Sequence, residues 1–248
     1  FPILFTVLIS SNIKAQNFYK LSEFRASVGA TQYFGDINDN YGFSHIRSNV
    51  GIFGRYNFNH YLALKLSANY TQVGYDDKDN KNAYQNLRNL SFRSNIFEAV
   101  LQAEFNFFYF ETGNLEFQWT PYVTLGVGAF YYNPYAFYKG DKYYLRPLGT
   151  EGQNLGGQFA DREYGNFAMC VPIGVGIKWW LLPGVNMGIE IADRLTTTDY
   201  LDDVSQTYVG ANNFSPDPSI INPSYYLQDP SLLSQPSAPL GRAGKQRG

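Results

Sequence analysis

Residues 61–72 read YLALKLSANYTQ, and every second side chain is of one kind. Leu62, Leu64, Leu66, Ala68 and Tyr70 fall on one side, and Lys65, Ser67, Asn69 and Thr71 on the other. Successive side chains of a β-strand point to opposite faces, so this period of two reads as a strand with one apolar and one polar face. The pattern recurs. In VGIFGRYNF, Val50, Ile52, Tyr56 and Phe58 oppose Gly51, Phe53, Arg55 and Asn57; in FEAVLQAEFNFFY, Phe97, Ala99, Leu101, Ala103, Phe105, Phe107 and Tyr109 oppose Glu98, Gln102, Glu104 and Asn106. Seven strands are predicted, over 24–36, 49–58, 61–75, 92–110, 119–132, 165–181 and 186–199.

The connections between them alternate in length. Short turns are expected at 59–60, 111–118 and 182–185, and long polar loops at 37–48, 76–91 and 133–164. Outer-membrane β-barrels have this arrangement, with turns in the periplasm and long loops outside. Aromatic content of 18%, with 21 Tyr and 20 Phe, suits the aromatic girdles of such a barrel better than a soluble core. Antiparallel closure in single-chain bacterial barrels takes an even strand number. Seven strands therefore imply an eighth, expected beyond Gly248, with 201–248 as the last outer loop leading to it. The fold class expected is all-β, an eight-stranded antiparallel outer-membrane β-barrel with a side-chain-filled lumen.

Residues 1–9 are almost wholly apolar, and SSNIKA follows. This pattern reads as a signal peptide over 1–15, cut after Ala15, leaving 16–248 as a single barrel domain. With 19 Lys+Arg against 21 Asp+Glu, no basic excess points to nucleic acid. The lone Cys170 rules out an internal disulfide.

If the apolar faces meet lipid, parity sends Arg25, Arg55, Lys65, Lys178 and Arg194 into the lumen with Glu98, Glu104 and Glu190. The interior of an eight-stranded barrel is just wide enough for side chains to fill it. These charges are expected to pair into a plug, because unpaired buried charge is costly. A soluble carrier barrel would need the reverse polarity. Asp193 falls on the apolar face in this register, so a bulge or the membrane edge is expected near it.

Chemistry-bearing patterns are sparse. His45 follows Ser44 in GFSHI and His60 lies in a tight turn, but no G-x-S-x-G elbow accompanies them. A lipid-modifying enzyme using Ser44 and His45 stands as the alternative function. No Cys/His cluster suits zinc, and no catalytic residue, cofactor or metal ligand is assigned. GVG at 126–128 and 174–176 lies inside strands, where glycine relieves crowding. Carboxylates gather where strands meet the outer loops: Asp36 and Asp39; Asp76, Asp77 and Asp79; Asp199, Asp202 and Asp203 beside Tyr200. They are read as a structural or solvated rim, with divalent-ion binding and partner contact as alternatives.

Three stretches carry a resemblance: GATQYFGDIND, LSFRSNIFEAVLQAEFNF and IEIADRLTTTDYLDDVSQTYV. Together they resemble the PorG-type outer-membrane protein of the Bacteroidota type IX secretion system, across about residues 18–209. TDYLDDVS is the most specific block, and Asp36, Asp199, Tyr200, Asp202 and Asp203 form the signature rim. GRAGKQRG resembles the stretch before the family's last strand. The resemblance implies a non-enzymatic barrel in outer-membrane lipid. It would anchor or help assemble the periplasmic ring of the lipoprotein PorK and PorN, in machinery that exports cargo bearing a C-terminal sorting signal.

Overall fold

The computed structural model describes residues 3–9, 22–38, 45–182, 185–214, 222–234 and 240–247. Eight strands close into a ring: β1 (Ile3–Ile9), β2 (Ser22–Gln32), β3 (Arg47–Asn57), β4 (Leu62–Asp76), β5 (Ser91–Asn106), β6 (Trp119–Tyr131), β9 (Phe167–Leu182) and β10 (Val185–Thr196). Each pairs antiparallel with its neighbours, and the β4–β5 and β1–β10 pairings complete the circle. A hairpin of β7 (Pro134–Tyr138) and β8 (Asp141–Tyr144) extends the sheet from β5, where Arg93 pairs with Tyr135.

The seven expected strands are all present, three of them ending three or four residues earlier, at Gln32, Asn106 and Thr196. The eighth place is filled differently from expectation. Ile3–Ile9, read as a leader, pairs with both β2 and β10, in the position assigned to a strand beyond Gly248. A short continuous apolar run has no period to separate a leader from a buried strand. The expected cleavage point after Ala15 lies outside the described residues.

The long polar loop expected over 133–164 holds the β7–β8 hairpin. Lys139 (φ 53°) and Gly140 (φ 93°) make its turn, the two positive φ values that a two-residue hairpin with matching twist requires. The segment 201–248, expected as the last outer loop, holds two short helices, α1 (Pro223–Gln228) and α2 (Ser231–Ser234), and a bridge between Thr207 and Gln246.

Polarity is apolar-out. Phe24 is 83% exposed, Ile52 67% and Leu66 60%, while the alternating partners Arg25, Phe53 and Lys65 are buried. This is the polarity lipid demands, and it is opposite to that of a soluble carrier. Exposed aromatic side chains lie in two bands. Near the long-loop end, Tyr70 pairs with Phe97, Phe97 with Tyr131 and Tyr131 with Phe167, so four adjacent strands carry aromatic side chains at one level. Phe105, Phe107, Phe108 and Trp119 lie near the short-turn end. Phe97 and Phe105–Phe107 sit on one chain segment. At strand rise and barrel tilt, the two bands are roughly 20–26 Å apart, the height of an outer-membrane apolar belt.

Asp193 sits three residues from the end of β10, and the pairing of β10 is regular from Asn186 to Thr196. The strand edge, not a bulge, accommodates it.

Candidate functional site

Two polar assemblies occupy the barrel, one inside it and one above it. All eight charged residues assigned to the lumen point inward, and they form three groups. Glu104 lies between the Arg55 guanidinium at 2.9 Å and the Lys178 ammonium. Lys65 reaches Glu190 at 2.6 Å, and the Tyr122 hydroxyl donates to the same carboxylate at 3.0 Å. Arg194 grips Glu98 through Nε and Nη2 at 2.6 and 2.9 Å, and Asn69 donates to Glu98 at 3.0 Å. Arg25 pairs with Glu23, which also takes Arg55 at 3.3 Å and the Asn57 amide at 3.0 Å.

Glu23 is a correction. The strand predicted over 24–36 leaves it out, yet it shares the lumen parity of Arg25 and lies on β2. Strand parity alone would have found it. The Cys170 thiol is free and buried, 3.5 Å from Glu98.

These pairs fill the bore. A cavity of about 20 Å³ between Thr71, Glu98 and Arg194 has room for about one water. The strand glycines let the filling close. A Cβ on Gly176 would stand 2.5 Å from the Tyr122 ring, and one on Gly128 would stand 3.0 Å from the Cys170 sulfur.

Above the lumen, the four long-loop regions meet over the TDYLDDVS block. Thr196 ends β10, Tyr200–Asp202 make one 3-10 turn, and Asp203 turns the chain with φ 64°. Aspartate tolerates this left-handed conformation better than most residues. The expected rim divides here. Asp36 and Asp199 are exposed, and Asp199 takes the Ser205 hydroxyl at 2.8 Å. Asp202 and Asp203 are instead buried at 1% and 0% exposure.

Asp202 accepts the Tyr33 hydroxyl at 2.6 Å and the Val204 amide at 3.0 Å, tying this block to the end of β2. Asp203 accepts the Tyr164 hydroxyl at 2.6 Å, the Gln153 amide at 3.2 Å and the Thr150 hydroxyl. Its main-chain oxygen takes Arg247 at 2.7 Å. Tyr200 stacks on Tyr164 with ring centroids 4.6 Å apart.

Arg247 is the centre of the cap. It is 2% exposed and donates to Thr150 and to the carbonyls of Asp203, Leu227 and Gln228, with the carboxylates of Glu151 and Asp203 at 3.5 and 3.6 Å. Glu151 also accepts the Ser205 and Gln206 amides. The Arg247 carbonyl accepts from Arg88, whose guanidinium clasps Asp77 at 2.6 and 3.0 Å. One arginine near the end of the chain thus joins the second, third and fourth outer loops. No local sequence pattern announces it.

Burial dominates the titration of the cap. It pushes the Asp202 carboxyl up to about 8, against the lowering effect of the Tyr33 and Val204 hydrogen bonds. Burial also raises Asp203 and Glu151, with Arg247 opposing the rise in both.

The remaining carboxylates each have a separate partner. Asp76 pairs with Lys78 at 2.8 Å and Asp79 with His45 at 3.0 Å. Among the described residues, no three His, Cys, Asp or Glu side chains gather as metal ligands would. Ser44 and Asp39 lie outside the described residues. His60, in the short-turn end, bonds Tyr109 and the Phe110 carbonyl.

A closed antiparallel ring, an apolar exterior between aromatic bands and a charged, filled interior define a β-barrel of the outer-membrane type. The chain belongs to the family described as "Domain of unknown function (DUF6089)", whose sequence profile matches residues 1–214. No curated protein matches it. Among solved structures, it is similar to Ail, the attachment invasion locus protein of Yersinia pestis, in complex with the heparin analogue sucrose octasulfate. Identity is 10%, coverage is 78% of this chain and 96% of that chain, and the TM-score is 0.31. The barrel assignment rests on the strand pairings themselves.

Proposed function

We propose that this barrel is a non-enzymatic outer-membrane component of the type IX protein secretion machinery, which anchors or helps assemble the periplasmic PorK/PorN ring. The filled lumen carries the reading. With Glu104, Glu190 and Glu98 each bound to lumen cations, the bore offers neither a passage nor a reaction chamber, which leaves the two ends as working surfaces. The resemblance to PorG-type proteins supplies the specific role. The Tyr33–Asp202 hydrogen bond supports it, because it joins two of the three stretches on which the resemblance rests.

The periplasmic end offers the Asn59–His60 turn and the 107–118 loop to a ring partner. Phe108 at 47% exposure and Leu115 at 73% stand out from that loop. The test is detergent pull-down of the tagged barrel, combined with gene deletion. Co-purification of PorK and PorN, with loss of sorting-signal cargo export on deletion, is expected. Normal export with an intact ring in the deletion strain would overturn the role.

A further inference from the structure

At the long-loop end, an open cleft of about 510 Å³ lies between the β4–β5 loop, the β7–β8 hairpin and the α1–α2 segment. Its floor is aromatic: Tyr75, Phe92 and Tyr138 line it and are buried, and Phe137 stands 47% exposed at its mouth. Its charge is unbalanced. Of the two carboxylates lining it, Asp76 pairs with Lys78 and Asp79 hydrogen-bonds His45, so three fixed cations face two carboxylates. Arg47 and Arg93 also line it, and among the described residues neither has a carboxylate in ion-pair range. The Arg47 Nε is buried with no hydrogen-bond partner among the described residues, and the Arg93 guanidinium lies over the Phe137 ring at 5.3 Å.

The two arginines have opposite strand parity, Arg47 that of buried Asn49 and Arg93 that of exposed Phe97, and they line the cleft from either side of β4. Asn49 pairs with Thr71 and Arg93 with Gly74, so Arg47 and Arg93 flank β4 at nearly one level. Two strand spacings put their Cα atoms roughly 10 Å apart. Arg93 lies four residues beyond Phe97 of the upper aromatic band, hence about 10 Å above it, at the height of lipid headgroups.

We propose that this cleft binds an acidic saccharide, a short run of sugar rings bearing phosphate or carboxylate. Guanidinium forks match those groups in two-point geometry. The aromatic floor suits the apolar faces of sugar rings, and the cleft lies within the size range of small-ligand sites. Two sources present this chemistry at the cell surface: the headgroup of an outer-leaflet glycolipid and a free polysaccharide. The proposal is independent of any role in secretion.

The test uses the full barrel in nanodiscs. Tetragalacturonic acid and neutral maltotetraose are titrated against the unmodified protein, Arg47→Gln, Arg93→Gln and Phe137→Ala, with folding verified for each by its β-sheet circular dichroism. The acidic probe is expected to bind at least about tenfold more tightly than the neutral one, and each arginine change is expected to weaken it about tenfold. Phe137→Ala, on an exposed hairpin position, weakens it without touching the barrel.

A second arm adds nanodiscs containing lipopolysaccharide, either intact or with its phosphates removed. Displacement of the acidic probe by the intact form alone assigns the site to the glycolipid headgroup. Retained probe binding without displacement assigns it to a free polysaccharide. Equal affinity for charged and neutral probes, binding unaffected by either arginine change, binding of an acidic peptide as tight as the acidic saccharide, or no binding of any probe would overturn the proposal.

Discussion

Arg247→Ala removes the residue on which the cap converges. Its guanidinium makes hydrogen bonds to Thr150 and to three carbonyls, and it is the cation nearest Glu151 and Asp203, both with 0% exposed side chains. Deleting one member of a buried charge group leaves the others uncompensated, at a cost of about 3–5 kcal/mol. The barrel strands lose no contact, so the cost falls on local opening of the cap rather than on global unfolding. That corresponds to roughly a 10²–10⁴-fold rise in exchange of the Ser205 and Gln206 amides, which Glu151 holds, with β4 and β5 amides unchanged.

Part of the loss is recovered at low pH, where Glu151 and Asp203 take up protons; burial already raises both. Hydrogen exchange by mass spectrometry at pH 8 and pH 5 reads both effects. Unchanged protection at Ser205 and Gln206, or an equal loss across the barrel, would refute the cap as a separately cooperative unit held by Arg247.

Other outcomes follow from the same geometry. The Asp202 carboxyl, raised to about 8 in the fold, binds protons there that the unfolded chain has already released. Its contribution is full below the ordinary carboxylate range and falls as pH rises through about 8, so cap protection decreases between pH 5 and 9 and Asp202→Asn flattens that slope. Glu104→Ala strands Lys178, leaves Arg55 with Glu23 alone, and destabilises the barrel by about 3–5 kcal/mol in urea titrations. Gly176→Ala drives a Cβ to 2.5 Å from the Tyr122 ring and costs about 1–3 kcal/mol by the same measurement. The unmodified protein in planar bilayers shows no steady conductance, because the lumen is filled.

The strands and their inside-outside parity were legible because period two is a local signal repeated over ten or more residues. Parity alone placed Arg55, Glu104 and Lys178 in the lumen, but not which of them pair. Glu23 was missed because the first strand was started one residue too late, at 24. The hairpin at 134–144 was missed because its Pro134 and tyrosine-rich run resemble a loop, although Lys139–Gly140 is a turn signal. The cap was beyond sequence reading for a deeper reason. Asp203 meets Arg247 from 44 positions away and Tyr33 meets Asp202 from 169, contacts that exist only once the barrel has set the loops side by side. The carboxylates of TDYLDDVS were recognisable as a cluster, but not as two buried acceptors beside one exposed one.

The account depends most on which face of each strand meets lipid. Single cysteines placed in turn at 97 to 105 of β5, in a Cys170→Ser background, can be spin-labelled in lipid bilayers and tested for collision with oxygen and with a water-soluble nickel complex. Strong oxygen access with little nickel access at 97, 99, 101, 103 and 105, and neither at 98, 100, 102 and 104, is the predicted alternation. Nickel access at the odd positions would contradict a lipid-facing exterior, and strong nickel access at the even ones would contradict a filled lumen.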